Sequence, residues 1–183
     1  MSSVVWNDDL IERARLLVAR LDDHSLKLAT AESCTGGLLS ALITEIPGSS
    51  NALDRAFVTY SDAAKAEMLG VPKALIETHG AVSAPVARAM ALGAFENSSA
   101  LITVSITGVA GPGGGTEQKP VGLVHFASCH SATRDTPPHC IDRERRFGDI
   151  GRAQVRSDAL NTALDMIDDA VTDLVNSTGD NTG

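Results

Sequence analysis

The chain has 183 residues, a formal net charge of −8, 43% hydrophobic residues and 21% charged ones. That length suits one domain with a sizeable core, and the composition is that of an ordinary soluble globular protein. The acidic balance argues against a general nucleic-acid binder, which needs Lys and Arg clustered on one face, but it leaves room for a small anionic ligand.

No apolar run approaches the length of a membrane span. The stretch Met1 to Asp9 lacks the basic start and apolar centre of a signal peptide, so the expected location is cytoplasmic, without membrane contact. Leu10, Ala14, Leu17 and Leu21 share one face of an opening helix, with Asp8 and Asp9 in its first turn, where the helix dipole favours them. Leu26 to Ala29 reads as a short buried strand, and from Leu38 to Ile43 the apolar spacing is helical. Between them lies Thr30-Ala31-Glu32-Ser33-Cys34-Thr35-Gly36-Gly37, which puts a serine at a strand-to-helix turn. The first N–H groups of a helix lack intrahelical partners and carry partial positive charge, so an anion or a developing oxyanion is favoured there. The same residues also suit a plain helix cap with glycines easing the turn. The spacing is neither G-x-S-x-G nor that of a phosphate loop.

Pro47 to Ser50 marks a turn, and Ala56 to Tyr60 a strand ending at Ser61-Asp62, a helix cap. Lys65 then falls in the first turns of a helix that stops at Gly70, and Pro72 starts a short helix towards His79-Gly80. Ser83 is positioned to cap a further helix with Val86, Met90 and Ala94 on one face. Leu101 to Ile106 is the clearest strand, and it runs into the glycine-rich segment from Thr107 to Thr116. Val121 to Phe126 and Cys140 to Phe147 read as strands that pair antiparallel, and Val155 to Leu174 as a long closing helix. One domain over 1–183 is expected, flexible at 1–6 and 176–183. Its fold class is α/β in three layers: a largely parallel sheet with helices on both faces and an antiparallel strand extension.

Ligands of such sheets bind beyond the carboxyl ends of the strands, where Ser33, Tyr60, Lys65 and Thr107 all fall. A serine hydroxyl needs a base, and a lysine with a depressed pKa can serve. Lys65 is one of only four lysines, and its bland alternative is a solvated helix charge. Tyr60, the only tyrosine, is placed to orient the lysine or to lie against a flat ligand. Thr107 is placed to bond the serine or the reacting group, although threonine also forms turns. Three cysteines, Cys34, Cys129 and Cys140, form no C-x-x-C pair, so neither a disulfide framework nor a zinc site is expected. Cys34, at the helix start, is a rival nucleophile to Ser33. The histidines show no metal-binding spacing, and no metal or cofactor is called for.

These motifs together carry a family likeness. T-A-E-S-C-T-G-G at 30–37, P-G-S-S at 47–50, Y-S-x-x-x-K at 60–65, H-G-A-V-S at 79–83, T-G-x-A-G-P at 107–112 and K-P-V-G at 119–122 resemble the CinA C-terminal domain family. The resemblance covers roughly 25–175 and implies a stand-alone nicotinamide-nucleotide amidohydrolase. Such an enzyme converts nicotinamide mononucleotide to nicotinate mononucleotide and ammonia in pyridine-nucleotide salvage, and is a homodimer. It implies Ser33 as nucleophile, Lys65 as base, and Tyr60 and Thr107 as positioning groups. The N–H groups near Thr35, Gly36 and Gly37 would hold the oxyanion. Glu32, Gly108, Gly111, Gly113 and Arg152 would complete the substrate contacts, with the 111–116 loop and a basic side chain on the phosphate. The family pattern G-D-R-x-x-V-R departs here, with two extra residues before Arg152 in Gly148 to Arg156. The alternative from another class is a non-catalytic nucleotide- or protein-binding module linked to competence or DNA damage.

Overall fold

The computed structural model describes residues 6–179. Helix α1 (Asp8–Asp23) leads into strand β1 (Leu28–Glu32), followed by α2 (Leu38–Thr44), a short 3₁₀ turn (Ser49–Asn51) and β2 (Leu53–Val58). Helices α3 (Asp62–Leu69), α4 (Lys73–His79) and α5 (Ala84–Glu96) precede β3 (Ile102–Gly108). Strands β4 (Leu123–His130) and β5 (His139–Arg146) and helix α6 (Arg152–Gly179) complete the chain. The five strands run in the order β2-β1-β3-β4-β5. Neighbours β2, β1 and β3 are parallel, whereas β4 and β5 are antiparallel, so the expected three-layer α/β architecture with its antiparallel extension is the observed one.

Period-two alternation assigns the strand residues to two cores. Leu28, Ile102, Val104, Ile106, Val124 and Phe126 pack with α1, α2 and α6. On the opposite face, Ala31 packs with Leu69, Ile76, Val86 and Met90 from α3, α4 and α5. All eight residues of β4 are buried, as suits a strand covered on both sides. Contact between α3 and α5 is close enough that a Cβ on Gly93 would lie 1.9 Å from Leu69 O, so only glycine fits there.

Several boundaries differ from the sequence reading. Strand β1 continues through Thr30, Ala31 and Glu32, because the neighbours β2 and β3 both pair with it that far. Strand β2 ends at Val58, leaving Tyr60 beyond it. Ser61 caps α3 by accepting from Ala64 N, as expected, but Ser83 at the start of α5 turns its hydroxyl back to donate to Gly80 O. Of the segments expected to be flexible, 176–179 continue helix α6 and Trp6 packs against the core. The remainder, 1–5 and 180–183, lies outside the described residues.

The cysteine expectation needs correction. Cys129 and Cys140 face each other across the antiparallel β4–β5 ladder and form a disulfide. Direct cross-strand neighbours bring side chains close enough to be bridged without moving the backbone.

Candidate active site

The chain runs from β1 out to β2 on one side and later returns to β3 on the other, so the carboxyl end of β1 is the sheet's topological switch point. Ser33 is the first residue past that end, fastened by its own N–H to Ile106 O at 2.9 Å. Glu32 and Ser33 point to opposite faces by alternation, Glu32 towards α2 and Ser33 towards α3. From the second turn of α3, Lys65 Nζ lies 3.1 Å from Ser33 Oγ. The two residues expected to form a nucleophile and base therefore meet.

Their surroundings shape their chemistry. Lys65 is only 1% exposed and Ser33 8%. Lys65 Nζ donates to Thr59 O at 3.0 Å and to Tyr60 O at 3.4 Å. Burial pushes its pKa below the usual lysine value of 10.5, and Asp62 and Cys34 oppose that shift more weakly. A neutral amine has two hydrogens and one lone pair. The protonated amine donates to Ser33 Oγ as well as to the two carbonyls; once neutral, it can keep its two hydrogens on Thr59 O and Tyr60 O and turn its lone pair to the Ser33 hydroxyl.

Other expected site residues serve different ends. Glu32, expected among the substrate contacts, is fully buried and turned to the start of α2. Its carboxylate accepts from Gly37 N at 3.0 Å, Leu39 N at 3.1 Å and Ser40 N at 2.9 Å. Gly37, at the N-cap of α2, has no side chain to cap the helix, so the preceding strand supplies the carboxylate instead. That helix start holds an internal anion and has no room for a second. Gly36 and Gly37 are required because both sit at positive φ, 60° and 94°. Their N–H groups are taken, Gly36 by Ser33 O and Gly37 by Glu32, so neither is free to meet a ligand as expected. Thr35 is fully buried, with its hydroxyl unpartnered among the described residues.

Tyr60 orients the lysine through its backbone carbonyl, not its phenol. The side chain is 63% exposed, and its hydroxyl accepts from Arg152 Nη2 at 3.4 Å. Thr107 forms no hydrogen bond with Ser33 or Lys65. Its hydroxyl donates to Ala81 O, just as Thr103 donates to Ala91 O and Ser105 to Ala87 O. These alternate β3 residues form a row of hydroxyls that docks α5 and the segment leading into it.

Arg152 lies between Tyr60 and the glycine-rich loop after β3. The additional residues are absorbed in a turn with Gly148 and Gly151 at positive φ, and Arg152 Nη1 then donates to Gly111 O at 3.1 Å. Gly111 thus offers its carbonyl to the arginine, while a Cβ on Gly113 would meet open space. Gly108 is half-buried at the end of β3, and a Cβ there would lie 2.7 Å from Leu123 O, so its glycine serves strand packing. Arg156, one turn further along α6 and missed as a site residue, donates to Thr35 O at 2.8 Å. Its position four residues after Arg152 was the available signal. Cys34, the rival nucleophile, is buried, and burial pushes its thiol up to about 12. A thiol that stays protonated is a poor nucleophile.

The CinA C-terminal domain model matches residues 11–171. The chain belongs to the CinA C-terminal domain family. Among curated relatives, a CinA-like protein of Mycobacterium avium is 59% identical over 120 residues, which cover 66% of this chain and 26% of that protein. A CinA-like protein of Anaeromyxobacter dehalogenans is 45% identical over 157 residues, covering 86% of this chain and 38% of that one. The CinA domain described here thus spans well under half the length of those relatives. Among solved structures, the competence/damage inducible protein CihA from Agrobacterium tumefaciens superposes with a TM-score of 0.85 at 45% identity, covering 91% of this chain and 97% of that one. A CinA superfamily protein from Escherichia coli gives 0.79 at 32% identity, covering 91% and 92%.

Proposed function

We propose that this CinA domain is a metal-independent amidohydrolase that removes ammonia from the carboxamide of nicotinamide mononucleotide. The observation that carries the reading is the buried Lys65 amine 3.1 Å from Ser33 Oγ, with Thr59 O and Tyr60 O also within its hydrogen-bonding reach. Ser33 Oγ attacks the carboxamide carbon while its proton passes to the lone pair of Lys65. The C–N bond then breaks, and Lys65 returns the proton to the departing nitrogen as ammonia. Water attacks the resulting ester with Lys65 again as base, releasing the carboxylate and restoring Ser33. Arg152, between Tyr60 and Gly111 at the crevice mouth, is the cation suited to the nucleotide phosphate, and the exposed Tyr60 ring is suited to the pyridine face.

The test is ammonia release from nicotinamide mononucleotide by wild type and Ser33→Ala, with a chelator present throughout. Release by wild type alone supports the reading. A folded wild type that releases none removes nicotinamide mononucleotide as the substrate and moves the crevice towards another amide or a binding role.

A further inference from the structure

Six of the eight backbone N–H groups from Ser33 to Ser40 have an acceptor in the protein. Ser33 donates to Ile106 O, Gly36 to Ser33 O and Leu38 to Thr35 O, while Gly37, Leu39 and Ser40 donate to Glu32. Cys34 and Thr35 remain: the Cys34 N–H meets only its own residue's thiol, and the Thr35 N–H meets no acceptor among the described residues. The N–H immediately after a serine nucleophile is well placed for the oxyanion of an acyl-transfer step.

The hydrogen bonds behind those two donors form a chain. Arg156 Nη2 donates to the Thr35 carbonyl at 2.8 Å, and the same peptide group carries Gly36 N–H. Gly36 N–H donates at 3.0 Å to the Ser33 carbonyl, whose peptide group carries Cys34 N–H. Two peptide groups thus link the guanidinium to the donor beside the nucleophile, each with its dipole in the same sense. Hydrogen bonds in series polarise one another, most strongly where a charge heads the series. Arg156 has no carboxylate at ion-pair distance among the described residues, and its Nε is buried without a partner. Its charge is therefore not neutralised by an acid, and its one hydrogen bond is to the turn. A Cβ on Gly36 would lie 3.7 Å from the guanidinium, which lies close along that turn.

We propose that Arg156 is a positioning residue for oxyanion stabilisation. It fixes the Ser33–Gly37 turn through Thr35 O and polarises the peptide chain that ends at Cys34 N–H. The inference rests on the amidohydrolase reading. It gives the two arginines of α6 separate roles, with Arg152 serving binding at the mouth and Arg156 serving the chemical step from behind the turn.

The experiment compares kcat and KM for nicotinamide mononucleotide in wild type, Arg156→Met and Arg156→Lys, each assayed well below its own Tm. Arg156→Met is expected to lower kcat roughly ten- to thirty-fold with KM within about two-fold. That is less than the roughly 10²- to 10³-fold lost when an oxyanion donor itself is removed. Arg156→Lys, which restores a cationic donor, is expected to recover part of kcat. A raised KM at unchanged kcat would make Arg156 a phosphate contact and overturn the proposal. A lowered Tm with both constants unchanged would reduce Arg156 to a structural brace and overturn it equally. In either case the amidohydrolase reading survives, because wild type still turns over. A folded wild type without turnover overturns both.

Discussion

The buried carboxylate of Glu32 permits a quantitative test of how the nucleophile turn is held. In Glu32→Gln the shape is kept, but one oxygen becomes an NH₂ group. The best placement keeps the carbonyl oxygen on Gly37 N and Leu39 N and sets the NH₂ against Ser40 N, two donors facing each other. One charge-assisted bond, about 1.5–3 kcal/mol, is lost, and the remaining two weaken by roughly half on becoming neutral. Removing a buried charge returns part of its desolvation cost, which leaves a net loss of about 2–3 kcal/mol. For a chain of this length, that lowers Tm by roughly 4–12 °C. Thermal melts by circular dichroism and a urea titration measure it, with a lower midpoint at unchanged slope. A Glu32→Gln protein melting within about 1 °C of wild type would refute the capping argument. A raised KM at unchanged Tm would instead return Glu32 to substrate binding.

Lys65 links pH to both rate and stability. Its folded pKa lies below the ordinary value of 10.5, so kcat/KM should rise with pH to a plateau reached below the ordinary lysine range. A rate limb centred at or above 10.5 would contradict the assigned base. Between the folded and unfolded pKa values the unfolded chain binds the extra proton, so this group's contribution to stability rises with pH across that window. Lys65→Met should therefore abolish activity yet raise Tm at neutral pH, and a lower Tm would show that the amine is not held at a cost. Cys34→Ala should retain turnover, since its thiol is pushed up to about 12; loss of activity at unchanged Tm would make the cysteine the nucleophile. The Cys129–Cys140 bridge closes a loop of sequence separation 11, worth about 3 kcal/mol in the chain-entropy picture. A thiol reductant should lower Tm accordingly, and an unchanged melt would show that the bridge contributes nothing.

The alternation of strands and helices made the layers legible, and the positions of Ser33 and Lys65 just past strand ends were enough to bring them together. What escaped was decided by direction and register. Glu32 and Ser33 are adjacent in sequence but lie on opposite faces, and the buried acid is explained only by a helix whose cap is a glycine. The alternation of Thr103, Ser105 and Thr107 was visible, yet only the docked α5 shows that all three hydroxyls serve that contact. The disulfide needed the hairpin register: once Leu123 is set opposite Arg146, counting inward brings Cys129 opposite Cys140. Tyr60 drew attention as a side chain, whereas its carbonyl holds the lysine, a role that any residue type could fill.

The Gly148–Gly151 turn separates two kinds of inheritance. Ser33 and Lys65 are fixed by the sheet end and the adjoining helix, whereas Arg152 is delivered by a turn whose length has changed without losing the crevice. A lineage can therefore lengthen or redirect this turn and change what meets the mouth while Ser33 and Lys65 stay where they were. In this architecture, diversification at the mouth need not wait for any change in the Ser33–Lys65 pair.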